Sequence, residues 1–285
     1  MAKSLISAAM GLMLMGGVAT AETLKNPLKE GETWADLAYD VIGDAVPQDG
    51  EALFSVDAPY RAHDAAIVPV RISQDLGSDK QIDKLTIVVD ENPSPIVAEF
   101  EFGPNMGHID LETRVRVDMY SNIRVIAETA DGGHWMNGRF VKASGGCSAP
   151  ALKGMDQALA NAGKMRLKLF DAVAPAAAIP VKTTESPPAS NGRKQAQVMI
   201  RHPNYSGMQR NQVTQLFIPA FFVHELEVFQ GDERLFRMEG GISISEDPVF
   251  RFSYTPNGAD TFRVRAVDTD GQVFEHVFDV QDEAT

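Results

Sequence analysis

The chain of 285 residues contains one cysteine, Cys147, in the stretch KASGGCSAPALKGM from Lys142 to Met155. Gly145 and Gly146 precede it, and glycine both reaches positive φ and lets other groups approach the backbone closely. Ser148 and Pro150 follow, with the residue types of a helix start. Leu152, Met155 and Leu159 then fall on one face as far as Gly163. This spacing predicts a helix that opens just after Cys147. Unpaired N–H groups at such an end depress a thiol pKa and favour the thiolate. The expectation is a nucleophilic, accessible sulfur at Cys147, supported by Gly145, Gly146 and Ser148.

A thiol that cleaves or transfers needs a base within hydrogen-bond reach, usually a histidine held by Asn or Asp. The six histidines are scattered at 63, 108, 134, 202, 224 and 276, with no catalytic signature around any of them. A Cys-x-x-Cys pair, a haem-attachment pattern, a phosphate-cradling loop and a His-Glu-x-x-His run are all absent. One cysteine cannot run a dithiol cycle within the chain. What remains is a thiol that carries a group or couples to another protein, with no catalytic residue, metal or cofactor expected. Met106/His108, His134/Met136 and His202/Met208 form a competing soft-metal set, but methionines at alternating strand positions usually fill a core.

The elements around this thiol read as mainly β. An N-terminal apolar run from Leu5 to Val18 ends at Ala19-Thr20-Ala21, so residues 1–21 are expected to be a signal peptide cleaved after Ala21. No later stretch is long enough to span a bilayer. The formal net charge of −13 argues against nucleic acid or an anionic membrane as partner. Residues 171–197 hold seven Ala and four Pro and read as a linker between domains at 22–170 and 198–285. Trp34, Leu37, Ala38, Val41 and Ile42 predict an early helix with Thr33 as cap, Trp34 as its anchor to a sheet and Gly43 as its stop.

Short β-branched runs then follow at 65–72, 84–90, 96–102, 111–119, 122–129 and 134–143, with one more at 164–170. In the run at 111–119, Val115, Val117 and Met119 are expected to face inward and Arg114, Arg116 and Asp118 outward. Ser121-Asn122 and Asp131-Gly132-Gly133 read as hairpin turns. After the linker, runs at 197–203, 217–230, 234–240, 249–255, 261–269 and 273–280 repeat the style, and Ile218–Val223 reads as either core or the contact between the domains. The pattern suits one small antiparallel sandwich in each half.

The second half resembles the SoxZ family in His202-Pro203, Gly207-Met208, Ile218-Pro219-Ala220, Ser245 to Pro248 and Asp268 to Gly271. More loosely, the first half resembles SoxY, through its opening helix, the AIVPVRI strand and Gly145-Gly146-Cys147. The resemblance implies two Ig-like antiparallel β-sandwich domains that pair with each other, with a short N-terminal helix and a helix after the cysteine motif. It also implies a periplasmic carrier that holds sulfur intermediates covalently on Cys147 for sulfur-oxidation enzymes or c-type cytochromes. The fused order is similar to SoxYZ-like carriers associated with quinoprotein dehydrogenases. This leaves a second reading, an adaptor for such a dehydrogenase. SoxY ends in a mobile Gly-Gly-Cys-Gly-Gly arm, whereas here Ser148 and Ala149 replace the later glycines and the chain continues.

Overall fold

The computed structural model of the chain describes residues 26–151, 155–170 and 192–283. The expected signal peptide, Leu152 and most of the expected linker lie outside the described residues. Helix α1 (Glu32–Ile42) forms where the apolar spacing put it. It ends at Gly43, whose positive φ of 58° suits glycine and whose N–H returns to the Tyr39 carbonyl at 2.9 Å. Thr33 is not its cap: Gly31 holds that position, and the Thr33 hydroxyl instead donates to Glu91 at 2.6 Å. The Arg124 guanidinium lies 4.5 Å from the Trp34 ring centroid, which ties α1 to the sheet behind it.

The first half contributes β1 (Gln48–Asp49), β2 (Phe54–Asp57), β3 (Val68–Gln74), β4 (Ile82–Val89), β5 (Ile96–Phe102), β6 (Asp110–Val115), β7 (Ser121–Thr129) and β8 (His134–Val141). Helix α2 (Met155–Ala160) and β9 (Met165–Phe170) follow. Next come β10 (Lys194–Ile200), which takes in the last four residues of the expected linker, β11 (Val223–Gln230), β12 (Glu233–Gly240), β13 (Val249–Tyr254), β14 (Thr261–Asp268), β15 (Val273–Asp279) and a last turn of helix, α3 (Val280–Glu283). Strand β14 alternates half-buried and buried residues along its whole length, as one face against a core requires.

The strands form two packed sheets, and both run through the two halves of the chain. One has the order β1-β8-β7-β4-β5-β12-β11-β14-β15 and the other β2-β3-β6-β13-β10-β9. The halves meet at β5–β12, where Phe100 pairs with Met238, and at β6–β13, where Leu111 pairs with Phe252. Between the sheets lies one apolar cluster drawn from both halves. Phe100 sits 6.1 Å from both Phe236 and Phe250, and Phe236 meets Phe252 edge-on at 5.0 Å; such ring pairs add about 0.5–1.5 kcal/mol each beyond area burial.

Asp110 crosses the same junction, bonded to Arg71 of its own half and to Ser253 and Gln195 of the other. Burial raises its pKa, but Arg71 and these donors outweigh burial and hold the carboxyl below its usual range. Gly103 allows the close approach there, since a Cβ on it would lie 1.9 Å from the Arg234 carbonyl oxygen.

Several local expectations change. Ser121 and Asn122 are buried residues that open β7; Asn122 binds Lys29 and Asp90. The 217–230 run enters its strand only at Val223, and Phe217 and Phe221 form isolated bridges to Arg210 and Tyr205. Strand β9, which precedes the linker, pairs with β10 beyond it. With both sheets crossing the junction, a protein cut at a protease site engineered into 171–191 should elute as one species and unfold in one transition. Separate fragments on size-exclusion chromatography would contradict this.

Candidate functional site

Past β6 the chain leaves its ladder, and Arg116, Val117 and Asp118 run beside the cysteine loop. The Gly145 N–H donates to the Asp118 carbonyl at 2.8 Å and that of Gly146 to the Val117 carbonyl at 3.1 Å. The Cys147 N–H donates to the Asp118 carboxylate at 3.2 Å. Gly145 has φ 78°, and a Cβ on Gly146 would lie 2.2 Å from the Ala65 carbonyl oxygen. The close approach that Gly146 permits is therefore that of neighbouring backbone, not of an incoming group.

The second half closes the other side. The Ser206 hydroxyl donates to the Cys147 carbonyl, and the Gln209 amide to the Ala149 carbonyl at 2.9 Å. The Gln209 side-chain oxygen also accepts from the Ser206 N–H at 3.2 Å. Both residues are buried. An open groove of about 480 Å³ lies against this seam. Its walls are Ser148 and Pro150 on the cysteine side and Gly207, Met208, Arg210 and Phe217 on the other.

Three expectations for the thiol fail here. Cys147 lies in a turn rather than at a helix end, because residues 149–151 that follow the turn are not helical. Ser148 is no helix cap; its hydroxyl donates back to the Gly145 carbonyl at 3.4 Å. Nor is the sulfur open, since Cys147 is 0% exposed. Burial pushes the thiol up to about 11, the Asp118 charge adds to the rise, and Arg116 opposes both. At neutral pH the folded protein thus holds Cys147 as the neutral thiol.

Alternation misplaced both Met119, expected inward but 52% exposed, and Arg116. Expected outward, it is 2% exposed, because the phase of β6 stops at Val115 and the segment after β12 covers the residues beyond. Its backbone N–H donates to the Ser243 carbonyl at 2.7 Å, and Nη1 donates to the carbonyls of Ile242 and Ile244. Burial draws its pKa down to about 10, so it stays cationic at neutral pH. The Ser206–Gln209 contact had a sequence signal, the IRHPNYSGMQR stretch that carries the SoxZ resemblance, but nothing in it showed which loop it would meet.

The histidines serve elsewhere. His202 is buried with Nδ1 2.7 Å from the Asn204 side-chain oxygen, its ring lies tilted against that of Phe221 at 4.5 Å, and burial lowers its pKa. His108 Nε2 meets the Ser78 carbonyl at 2.8 Å. Met106 is core, and Met136 Sδ lies 3.8 Å from Arg124. Among the described residues no group of three or more His, Cys, Asp and Glu side chains gathers to hold a metal, and no helix is long and apolar enough to cross a membrane.

Fold and site together define a β-sandwich protein that holds one thiol at the seam of its two halves. Residues 38–147 match the family of the sulfur oxidation protein SoxY, and that match ends on Cys147 itself; residues 181–279 match the sulphur oxidation protein SoxZ. The chain belongs to these sulfur-oxidation families as a fusion of a SoxY domain and a SoxZ domain. The solved structure of the sulfur carrier protein SoxY from Chlorobium limicola f thiosulfatophilum is 23% identical, covering 39% of this chain and 96% of that one, with a TM-score of 0.33. A superoxide reductase (neelaredoxin) from Ignicoccus hospitalis is 14% identical, covering 38% and 90%, with a TM-score of 0.28. No curated protein matches the chain.

Alkylation by iodoacetamide checks the state of the thiol. In the folded protein the rate should rise with pH towards about 11, while in denaturant it should level off above the ordinary thiol pKa of about 8.5. Between these values only the unfolded chain ionises, so stability should fall as pH rises across that window. Gly146→Ala, which displaces the loop, should raise the neutral-pH rate. A wild-type rate at neutral pH equal to that in denaturant would contradict the buried, protonated thiol.

Proposed function

We propose that this protein is a periplasmic carrier that holds a sulfur intermediate covalently on Cys147 and presents it to partner enzymes of sulfur oxidation. One observation supports the reading: Cys147 lies where the SoxY half and the SoxZ half meet, its backbone N–H bound to Asp118 from one and its carbonyl to Ser206 from the other. A nucleophilic enzyme would place a base at the sulfur, but the charged neighbours that act on it are Asp118 and Arg116. Gly145, Gly146 and Ser148 supply the turn that presents it.

Loading requires the loop to leave Ser206 and Gln209, so that the thiol reaches water, loses its proton and attacks. The closed loop is the resting state, and the two domains act as one unit. Partners approach over the groove beside the loop, where Phe217 is 59% and Leu216 69% exposed. Burial of the thiol favours a second reading, a periplasmic adaptor for a quinoprotein dehydrogenase in which Cys147 is only a packing residue.

Intact mass of protein isolated without reductant from sulfur-oxidising cells separates the two. The carrier reading expects a reductant-sensitive adduct of one or more sulfur atoms, lost in Cys147→Ser together with sulfur-dependent growth. An unmodified Cys147, with full function in Cys147→Ser, would leave the adaptor. The same spectra should show a chain beginning at Glu22 if residues 1–21 are cleaved on export.

A further inference from the structure

Of the four strands that end the two sheets, three are guarded. Strand β1 has two residues and β2 four, and β9 sets exposed Arg166 and Lys168 along its rim; shortness and positive charge are ordinary protections of a sheet edge. Strand β15 closes the nine-stranded sheet with seven residues, VFEHVFD, and has neither protection. No proline and no register shift interrupts its pairing with β14, and no other described strand pairs with it.

The hydrogen bonds at the two ends of this ladder identify the backbone groups left free. The register pairs Phe262 with Phe278 and Ala266 with Phe274. At one end the Val280 N–H donates to the Asp260 carbonyl at 2.8 Å, and at the other the Asp268 N–H donates to the Gln272 carbonyl at 3.1 Å. Both bonds join even-numbered residues, and bonded and non-bonded pairs alternate along an antiparallel ladder. Phe274, His276 and Phe278 therefore direct their backbone groups to β14, while Val273, Glu275, Val277 and Asp279 turn theirs outward. Val273 and Val277 are also more than half exposed.

We propose that β15 is a self-association edge, along which two copies of this chain pair β15 with β15 antiparallel about a two-fold axis at His276 and join their nine-stranded sheets into one. The strand's own sequence selects both the occupant and the register. An axis at His276 pairs all seven residues and sets each outward-facing residue of one copy against an outward-facing residue of the other, Val273 against Asp279 and Glu275 against Val277. Each carboxylate then lies opposite a valine. Moving the axis one residue either way shortens the overlap and sets Glu275 opposite Glu275 or Asp279, and like charges directly opposite are destabilising. On the other face the same axis brings Phe274 opposite Phe278, a favourable cross-strand aromatic pair. The contact is isologous and closes at the dimer.

Sedimentation of the purified full chain at physiological salt, over the micromolar range, should show a monomer–dimer equilibrium. Val277→Glu faces Glu275 of the second copy and should weaken association roughly 2- to 30-fold. Val277→Lys faces the same carboxylate and should leave association as tight as in wild type or tighter. Position 277 is exposed, so neither change disturbs the core. A chain that stays monomeric over that range leaves the edge to some other strand and overturns the proposal, as does a dimer in which Val277→Glu associates as tightly as Val277→Lys.

Cross-linking checks the register separately. His276→Cys places two thiols across the axis in a non-bonded antiparallel pair, with Cα atoms about 4.5 Å apart, within reach of a disulfide. With diamide taking up the two electrons and two protons, this variant should give a linked dimer whose bond peptide mapping places at position 276 of both copies. Val273→Cys, which faces Asp279 of the second copy, should stay unlinked. Linkage of Val273→Cys as readily as of His276→Cys would overturn the proposal. These outcomes are independent of what Cys147 carries.

Discussion

The pairing of β5 with β12 and of β6 with β13 is the constraint on which the rest of the structure depends. An edge strand left alone presents a row of unsatisfied N–H and C=O groups, and each half would have two such edges. Joining both at once extends both sheets, merges the cores through Phe100, Phe236, Phe250 and Phe252, and sets the half-buried Asp110 among donors from both sides. It also fixes the distance between segments far apart in sequence. Ile242–Ser245 lies over Arg116, and Ser206–Gln209 lies over the cysteine loop.

From that constraint the chemistry of the thiol follows. A loop with Gly145-Gly146-Cys147 alone would expose its sulfur. Docked on Ala65, Val117 and Asp118 and capped from the second half, the sulfur is dry and protonated. The bonds that close the loop are few and local, so opening it does not require the junction to part. On the proposed carrier reading, this arrangement would keep the sulfur unreactive between encounters until the loop moves. Tethering at both ends, which the chain beyond Ser148 imposes, limits that movement.

Much of the fold could be read in the sequence because it is written in local patterns. Strand β5 occupies 96–102 as its β-branched run required, α1 ends at Gly43, and Gly132, with φ 79°, turns the chain between β7 and β8. What failed was set by partners distant in sequence. Alternation placed Arg116 outward because it does not reveal where β6 leaves its ladder or that Ser243 then takes its N–H. Ser121-Asn122 has turn composition, yet the pair is held in β7 by Lys29 and Asp90. The residue types around Cys147 suggested a helix end and an open thiol, and both depended on treating the first half as if the second did not cover it.

The central claim is that the second half keeps Cys147 closed through Ser206 and Gln209, and the neutral-pH alkylation rate of Ser206→Ala/Gln209→Ala tests it most directly. Two hydrogen bonds worth about 0.5–1.5 kcal/mol each predict a rate faster by roughly 5- to 100-fold with the melting transition largely retained. A double variant that stays folded and reacts no faster than wild type would show that the loop is closed by something else.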